Sequence, residues 1–240
     1  MDNLRRLGGE AGVLAGIAMA WLFLGLVLVF PSAGLSLADQ ANPHRYIPFI
    51  AKHAGIFWSV NVLGAFVAGV LSAVLILALG DRFREASPGS TRIATEFGVF
   101  GAAAFASAAI VRQVGFTSLT PIYKATTSGG AAAFYAMNGV VDALTALAGI
   151  AIGFGVLLFG NVMIKSGRYS SAGTLSIAAG AAMVLGGFVN NVYLYMASSV
   201  AMIVWLIWTA LSLRAEVGPA LFNFVVKRNG RRAKQAKQAA

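Results

Sequence analysis

The polar positions of this 240-residue chain are gathered into short breaks between six long apolar runs. A helix needs roughly 17 to 25 apolar residues to cross a bilayer core of about 30 Å. The runs fall at about Gly12–Phe30, Gly55–Leu79, Ile93–Val111, a stretch within Ala131–Met163, Ser171–Val189 and Leu194–Leu213. Each is expected to span a membrane. The fold predicted is therefore all-α, a six-helix polytopic bundle over residues 1–213, followed by a basic tail over 214–240. Pro31 is expected to stop the first helix. The short polar turn Asn190-Asn191 makes an antiparallel hairpin of the last two. The fourth stretch exceeds what a bilayer requires, so it is expected to tilt or to protrude at its outer end.

A cleavable signal peptide is the competing reading of the first run, because Ser36-Leu37-Ala38 resembles a small-residue cleavage site. The run holds about 19 apolar residues, against roughly 7–15 in a signal core. It is expected to remain as a span.

Charge gives the expected orientation. With the N-terminus inside, the inner segments hold Arg5, Arg6, Arg82, Arg84, Arg92, Lys165, Arg168, Arg214, Lys227, Arg228, Arg231, Arg232, Lys234 and Lys237. The outer loops hold Arg45, Lys52, Arg112 and Lys124. Cytoplasmic loops carry the excess of Lys and Arg, so both termini are expected in the cytoplasm, in a bacterial inner membrane. Tyr46, Trp58, Tyr123, Tyr135, Tyr193 and Tyr195 fall near the proposed outer boundary, where amphipathic rings prefer to sit. After Arg214, the segment Pro219–Val226 is a candidate interfacial helix.

Composition narrows the function classes. The chain is 58% hydrophobic and 11% charged, so lipid must solvate most of it. Its net charge of +10 lies at the ends of apolar runs and in the tail, which argues for membrane orientation and against nucleic acid. Cysteine is absent, which removes disulfides, thiolate nucleophiles and Cys-ligated metals. His44 and His53, the two histidines, lie at the outer boundary, where hydrogen bonding is the expected role. No metal site or cofactor is expected, and no Walker, GxSxG, HExxH or dinucleotide motif occurs.

Asp142 is the one acidic residue well inside an apolar run, and an intramembrane carboxylate is a functional-site hypothesis by default. Entry of the fourth helix near Ala136 would put Asp142 about 9 Å down, within reach of Arg112 on the third. Asn138 lies one turn earlier on the same face. These three form the candidate polar site, as a static ion pair stapling two helices or as a proton or cation step. Arg92 and Glu96 form an i,i+4 pair near the inner boundary.

Small residues four apart form further candidate faces: Gly12/Gly16, Ala65/Gly69, Gly149/Gly153 and Ala178/Ala182/Gly186. Such faces let helix backbones approach closely, within one bundle or against another subunit.

The stretch Phe154-Gly155-Val156-Leu157-Leu158-Phe159-Gly160, the turn Lys165-Ser166-Gly167, and Gly173-Thr174-Leu175 with Ala178-Ala179-Gly180 resemble an uncharacterised family of bacterial six-helix membrane proteins. The second span and its Asp81–Arg84 turn are similar in character. The family pattern has a proline after the basic turn, where this chain has Tyr169-Ser170-Ser171. The resemblance implies a six-helix fold and supplies no catalytic residues. The function expected is a non-catalytic accessory subunit packing against other membrane proteins. The alternative is a small transporter or channel using Asp142 and Arg112. A lipid-modifying enzyme would need paired carboxylates or His and Ser clusters at the interface, which are absent.

Overall fold

The computed structural model describes residues 2–167, 169–189 and 191–217 and is all-α. Six helices are long and apolar enough to cross a membrane: α1 Asn3–Ser32, α3 Ala54–Phe83, α4 Pro88–Ala125, α5 Thr127–Lys165, α6 Ser170–Phe188 and α7 Val192–Val217. A shorter helix, α2 Pro43–Lys52, lies between α1 and α3. The proposed interfacial helix at 219–226 lies outside the described residues.

Each span packs chiefly against its neighbours in sequence, and α1 closes the ring against α7. The chain thus climbs and descends around a six-membered ring, with both ends of the described chain on one face. That face is the terminal face; the other carries the α1–α3, α4–α5 and α6–α7 connections.

Pro31 does not stop the first helix. Gly34 does, at φ +98°, a left-handed backbone that suits glycine. Leu35 N–H donates to Phe30 O at 2.9 Å and Gly34 N–H to Pro31 O at 3.0 Å, which satisfies the last carbonyls. Buried Leu35 and Phe30 seal the turn. Helix α2 opens with Asn42, whose side chain accepts from His44 N–H, and folds back over the bundle. Its Tyr46 is buried edge-on against Phe57, Phe116 and Phe134. His44 Nδ1 lies 2.8 Å from Tyr123 Oη and ties α2 to the end of α4.

The third span extends much further than the apolar pattern suggests, and the fourth slightly further than its already long apolar stretch. They contain 38 and 39 residues, about 57 Å at 1.5 Å per residue, and only Thr126 separates them. Arg92 to Arg112 is twenty residues, about 30 Å, the thickness of a hydrocarbon core. Beyond Arg112, α4 continues for thirteen more residues, and α2 packs against this projecting part of the hairpin.

Glycines hold the ring together. A methyl group at Gly153 would lie 2.8 Å from Gly180 O, and one at Gly160 would lie 2.8 Å from Gly173 O. At Gly187 it would lie 2.8 Å from Ala146 O. Gly173, Gly180 and Gly187 recur every seven residues, so one stripe of α6 lies against α5 throughout its length. The α4–α5 contact is as close, with Gly101 against Ile152 and Ala148, and Gly155 against Ala94 and Gly98. Gly12 meets Ala210 and Leu75, Gly16 meets Ile207, and Gly69 meets Ala106. Ala65 is buried, whereas Ala178 is exposed and Ala182 half-buried. The predicted face on α6 is therefore displaced: its small-residue contact with α5 runs through Gly173, Gly180 and Gly187, while Gly186 faces Ser198 of α7.

Toward the terminal face the ring is filled. Phe83, Phe159 and Trp205 are fully buried there, with Met163, Leu206 and Leu213. The Trp205 indole N–H donates to Ser176 Oγ at 2.9 Å, and Ser176 donates to Ala172 O at 2.7 Å. Asp81 is the end of α3 rather than part of a loop, and it pairs with Arg5 of α1 at 3.4 Å. Arg92 and Glu96 pair at 2.8 Å on the exposed side of α4.

Candidate functional site

In the opposite half the ring is not filled. Helices α1, α4, α5, α6 and α7 leave between them a cavity of about 560 Å³, to which α3 contributes no lining residue. Met19, Leu22, Leu26, Ile152, Met183 and Met202 supply apolar lining toward the middle of the bundle. Arg112, Asn138, Asp142, Thr145, Asn191, Tyr195, Ser198 and Ser199 supply polar lining, with Gln40 and Tyr46 from the α1–α3 connection. Asp142 and Asn191, in the half away from the termini, are exposed. Its volume lies within the roughly 300–1,000 Å³ range of small-molecule sites.

The three predicted polar residues line one cavity, with Asn138 beside Asp142 on a shared helix face and Arg112 apart from both. Asn138 Nδ2 donates to Asp142 Oδ2 at 2.8 Å, across one helical turn. Arg112 lines the same cavity from α4, yet no ion pair joins it to Asp142. Its Nε is buried without a hydrogen-bond partner among the described residues. The expected staple is thus absent as a direct contact, and the α4–α5 glycine contacts join the two helices instead. Depth differs as well. Asp142 lies fifteen residues from the start of α5 and 23 from Lys165, about 34 Å. With Lys165 at one boundary, Asp142 stands at the opposite edge of the hydrocarbon, level with Arg112, rather than about 9 Å within it.

Tyr46 reaches the cavity from outside the spans. Burial pushes its hydroxyl above the ordinary tyrosine range, and the nearby Arg112 charge partly offsets this. The ring of Tyr46 therefore stays neutral beside the guanidinium.

One π-helical stretch, Gly25–Val29 in α1, supplies Leu26 and Val27 to the lining, and a second, Ser59–Phe66 in α3, packs behind it with Val60 against Gly25. A π turn disturbs the regular hydrogen-bond ladder, and such turns recur at functional sites. Each has a side-chain amide beside it. Gln40 Nε2 donates to Leu26 O at 3.1 Å, and buried Asn61 Nδ2 donates to Phe57 O at 2.8 Å.

Other sequence candidates lie elsewhere. His44 sits on Tyr123 and His53 stacks against Phe49 at 4.9 Å between centroids, so each histidine has a local partner. Gly149 and Gly186 line the cavity, whereas Gly12, Gly16, Ala65, Gly69 and Gly153 do not. Sequence reading missed Tyr195, Gln40 and Ser198–Ser199. Tyr195 had been placed at the outer boundary by its ring alone. Its spacing of three and four residues from Ser198 and Ser199 was the signal for one polar helix face.

Comparison with family models, with curated proteins and with solved structures finds no match to this chain. No family is identified, and the resemblance to the uncharacterised six-helix family gains no support; the six long apolar helices stand on their own.

Proposed function

We propose that the protein is a small-solute transporter whose cavity opens to the outer side of the membrane. The single observation that carries this reading is an open cavity containing an arginine and a carboxylate that do not satisfy one another. Charge distribution supports the orientation, since seven of the eleven described Lys and Arg residues lie toward the terminal face, which is read as cytoplasmic. The π-helical stretch Gly25–Val29, which lines the cavity, also favours it, because π turns recur at functional sites. The accessory-subunit reading rested on small-residue faces free to receive another subunit. Gly12, Gly16, Gly69 and Gly153 are instead consumed by contacts between this chain's own helices.

The absence of cysteine allows a direct test. Single cysteines at Thr145 and Ser176 place a thiol in the cavity and in the filled half, respectively. A membrane-impermeant thiol reagent added outside intact cells is expected to modify Thr145→Cys and to leave Ser176→Cys untouched. No modification at Thr145→Cys, or equal modification at both, overturns the reading. A compound that protects Thr145→Cys should then accumulate in proteoliposomes, and Asp142→Asn should abolish that accumulation.

A further inference from the structure

The charges in the cavity define what it takes. Arg112 presents a guanidinium whose buried Nε has no acceptor among the described residues. Asp142 uses one carboxylate oxygen for Asn138, and Oδ1 has no protein donor among the described residues. Both groups line one cavity from adjacent helices, and both lie at the same depth along those helices, near the edge of the hydrocarbon. Had they joined, the site would be electrically complete. Because they do not, an occupant carrying a single charge leaves the other protein charge unmatched in a partly desolvated site, at a cost in affinity.

Below the charges the lining changes character. Four of the chain's seven methionines, Met19, Met183, Met196 and Met202, line this cavity. Thioether side chains are flexible and polarizable, so they fit apolar bodies of varied shape without one fixed complementarity. The resulting site is polar and doubly charged at the level of lipid headgroups, and adaptable and apolar toward the bilayer centre.

We infer that the substrate is an amphipathic zwitterion, with its anionic group on Arg112, its ammonium on Asp142 and its apolar body among the methionines. This rests on the cavity being a solute site, as proposed above. Two sources carry this chemistry: a free amino acid with a large apolar side chain, and the ethanolamine headgroup of a phospholipid.

The test needs matched probes. Purified protein in a non-ionic maltoside detergent is titrated with L-leucine, with 4-methylpentanoate, which lacks the ammonium, and with 3-methylbutylamine, which lacks the carboxylate. Lysophosphatidylethanolamine and lysophosphatidylglycerol form the lipid arm. Binding is read by calorimetry or by protection of Thr145→Cys. A zwitterion in one arm is expected to bind at least about tenfold more tightly than its single-charge counterparts, because each counterpart leaves one protein charge unpaired. The arm that binds identifies the source.

Arg112→Gln is expected to remove the preference for the zwitterion over the amine, and Asp142→Asn the preference over the anion. Asn138→Ala, which keeps both charges, is expected to weaken the zwitterion by about threefold through loss of one hydrogen bond. Equal affinity for a zwitterion and a single-charge probe overturns the inference and leaves the solute cavity standing. Failure of both zwitterions to bind at about 10 mM also overturns it. If Thr145→Cys is in addition inert to the impermeant reagent, the transporter reading falls with it. The wild-type probe comparison decides the matter even where a variant fails to fold.

Discussion

The two halves of this bundle use the same helices and fill the space between them in opposite ways. Toward the terminal face, Phe83, Phe159 and Trp205 occupy the ring interior and the backbones meet through Gly12, Gly16, Gly160 and Gly173. Away from it the α5–α6 glycine stripe continues through Gly187, but the lining thins to methionines, small residues and polar groups around a cavity. In lipid, apolar burial gives helices little reason to associate, so close van der Waals contact does that work. A glycine seam that is continuous below and one-sided above therefore makes a rigid base and an open mouth.

The comparison breaks most sharply at the seam. Gly160→Val inserts branched carbon where even a methyl would lie 2.8 Å from Gly173 O, and backbone cannot yield as a side chain does. Loss of about 3 kcal/mol or of folded protein altogether is expected, read by membrane yield and denaturant titration of purified protein. Gly149→Ala, in the open half, puts its methyl 3.5 Å from Met183 O, an ordinary contact. It should leave stability within about 0.5 kcal/mol of wild type. Equal damage from the two would mean that the halves are packed alike.

Smaller effects sharpen the same contrast. Asn61→Ala leaves Phe57 O beside the π-helical stretch without its side-chain donor, at an expected cost of about 1–2 kcal/mol by the same titration. Trp205→Phe removes the indole bond to Ser176 in the filled half while keeping most of the ring volume. About 1 kcal/mol is expected, near the measured range for interhelical bonds in membranes. Smallest is Arg92→Ala on the exposed side of α4. Its ion pair with Glu96 is solvated, so the denaturation midpoint is expected to stay where it is in wild type. Tyr46→Phe is a spectroscopic test of the roof. Alkaline titration followed by tyrosinate absorbance should lose a component that ionises above the ordinary value near 10.

The sequence by itself determined that six helices cross a membrane, because lipid demands long apolar runs and polar residues interrupt them visibly. It also singled out Asp142, Arg112 and Asn138, since charge is rare enough in such runs to stand out. Their relation was not legible. Whether Arg112 touches Asp142 depends on the rotation and separation of α4 and α5, which the contacts of Gly101 and Gly155 decide. The partners of the small residues were hidden for the same reason. Spacing shows that Gly173, Gly180 and Gly187 share a face, but only the closed ring assigns that face to α5. The length of α4 was understated because helix continues past the hydrocarbon edge, where apolar pattern no longer marks it, whereas the excess length of α5 was legible in its long apolar stretch. The cavity was invisible in principle: it is a space between five of the spans and the α1–α3 connection, and no single run of residues encodes it.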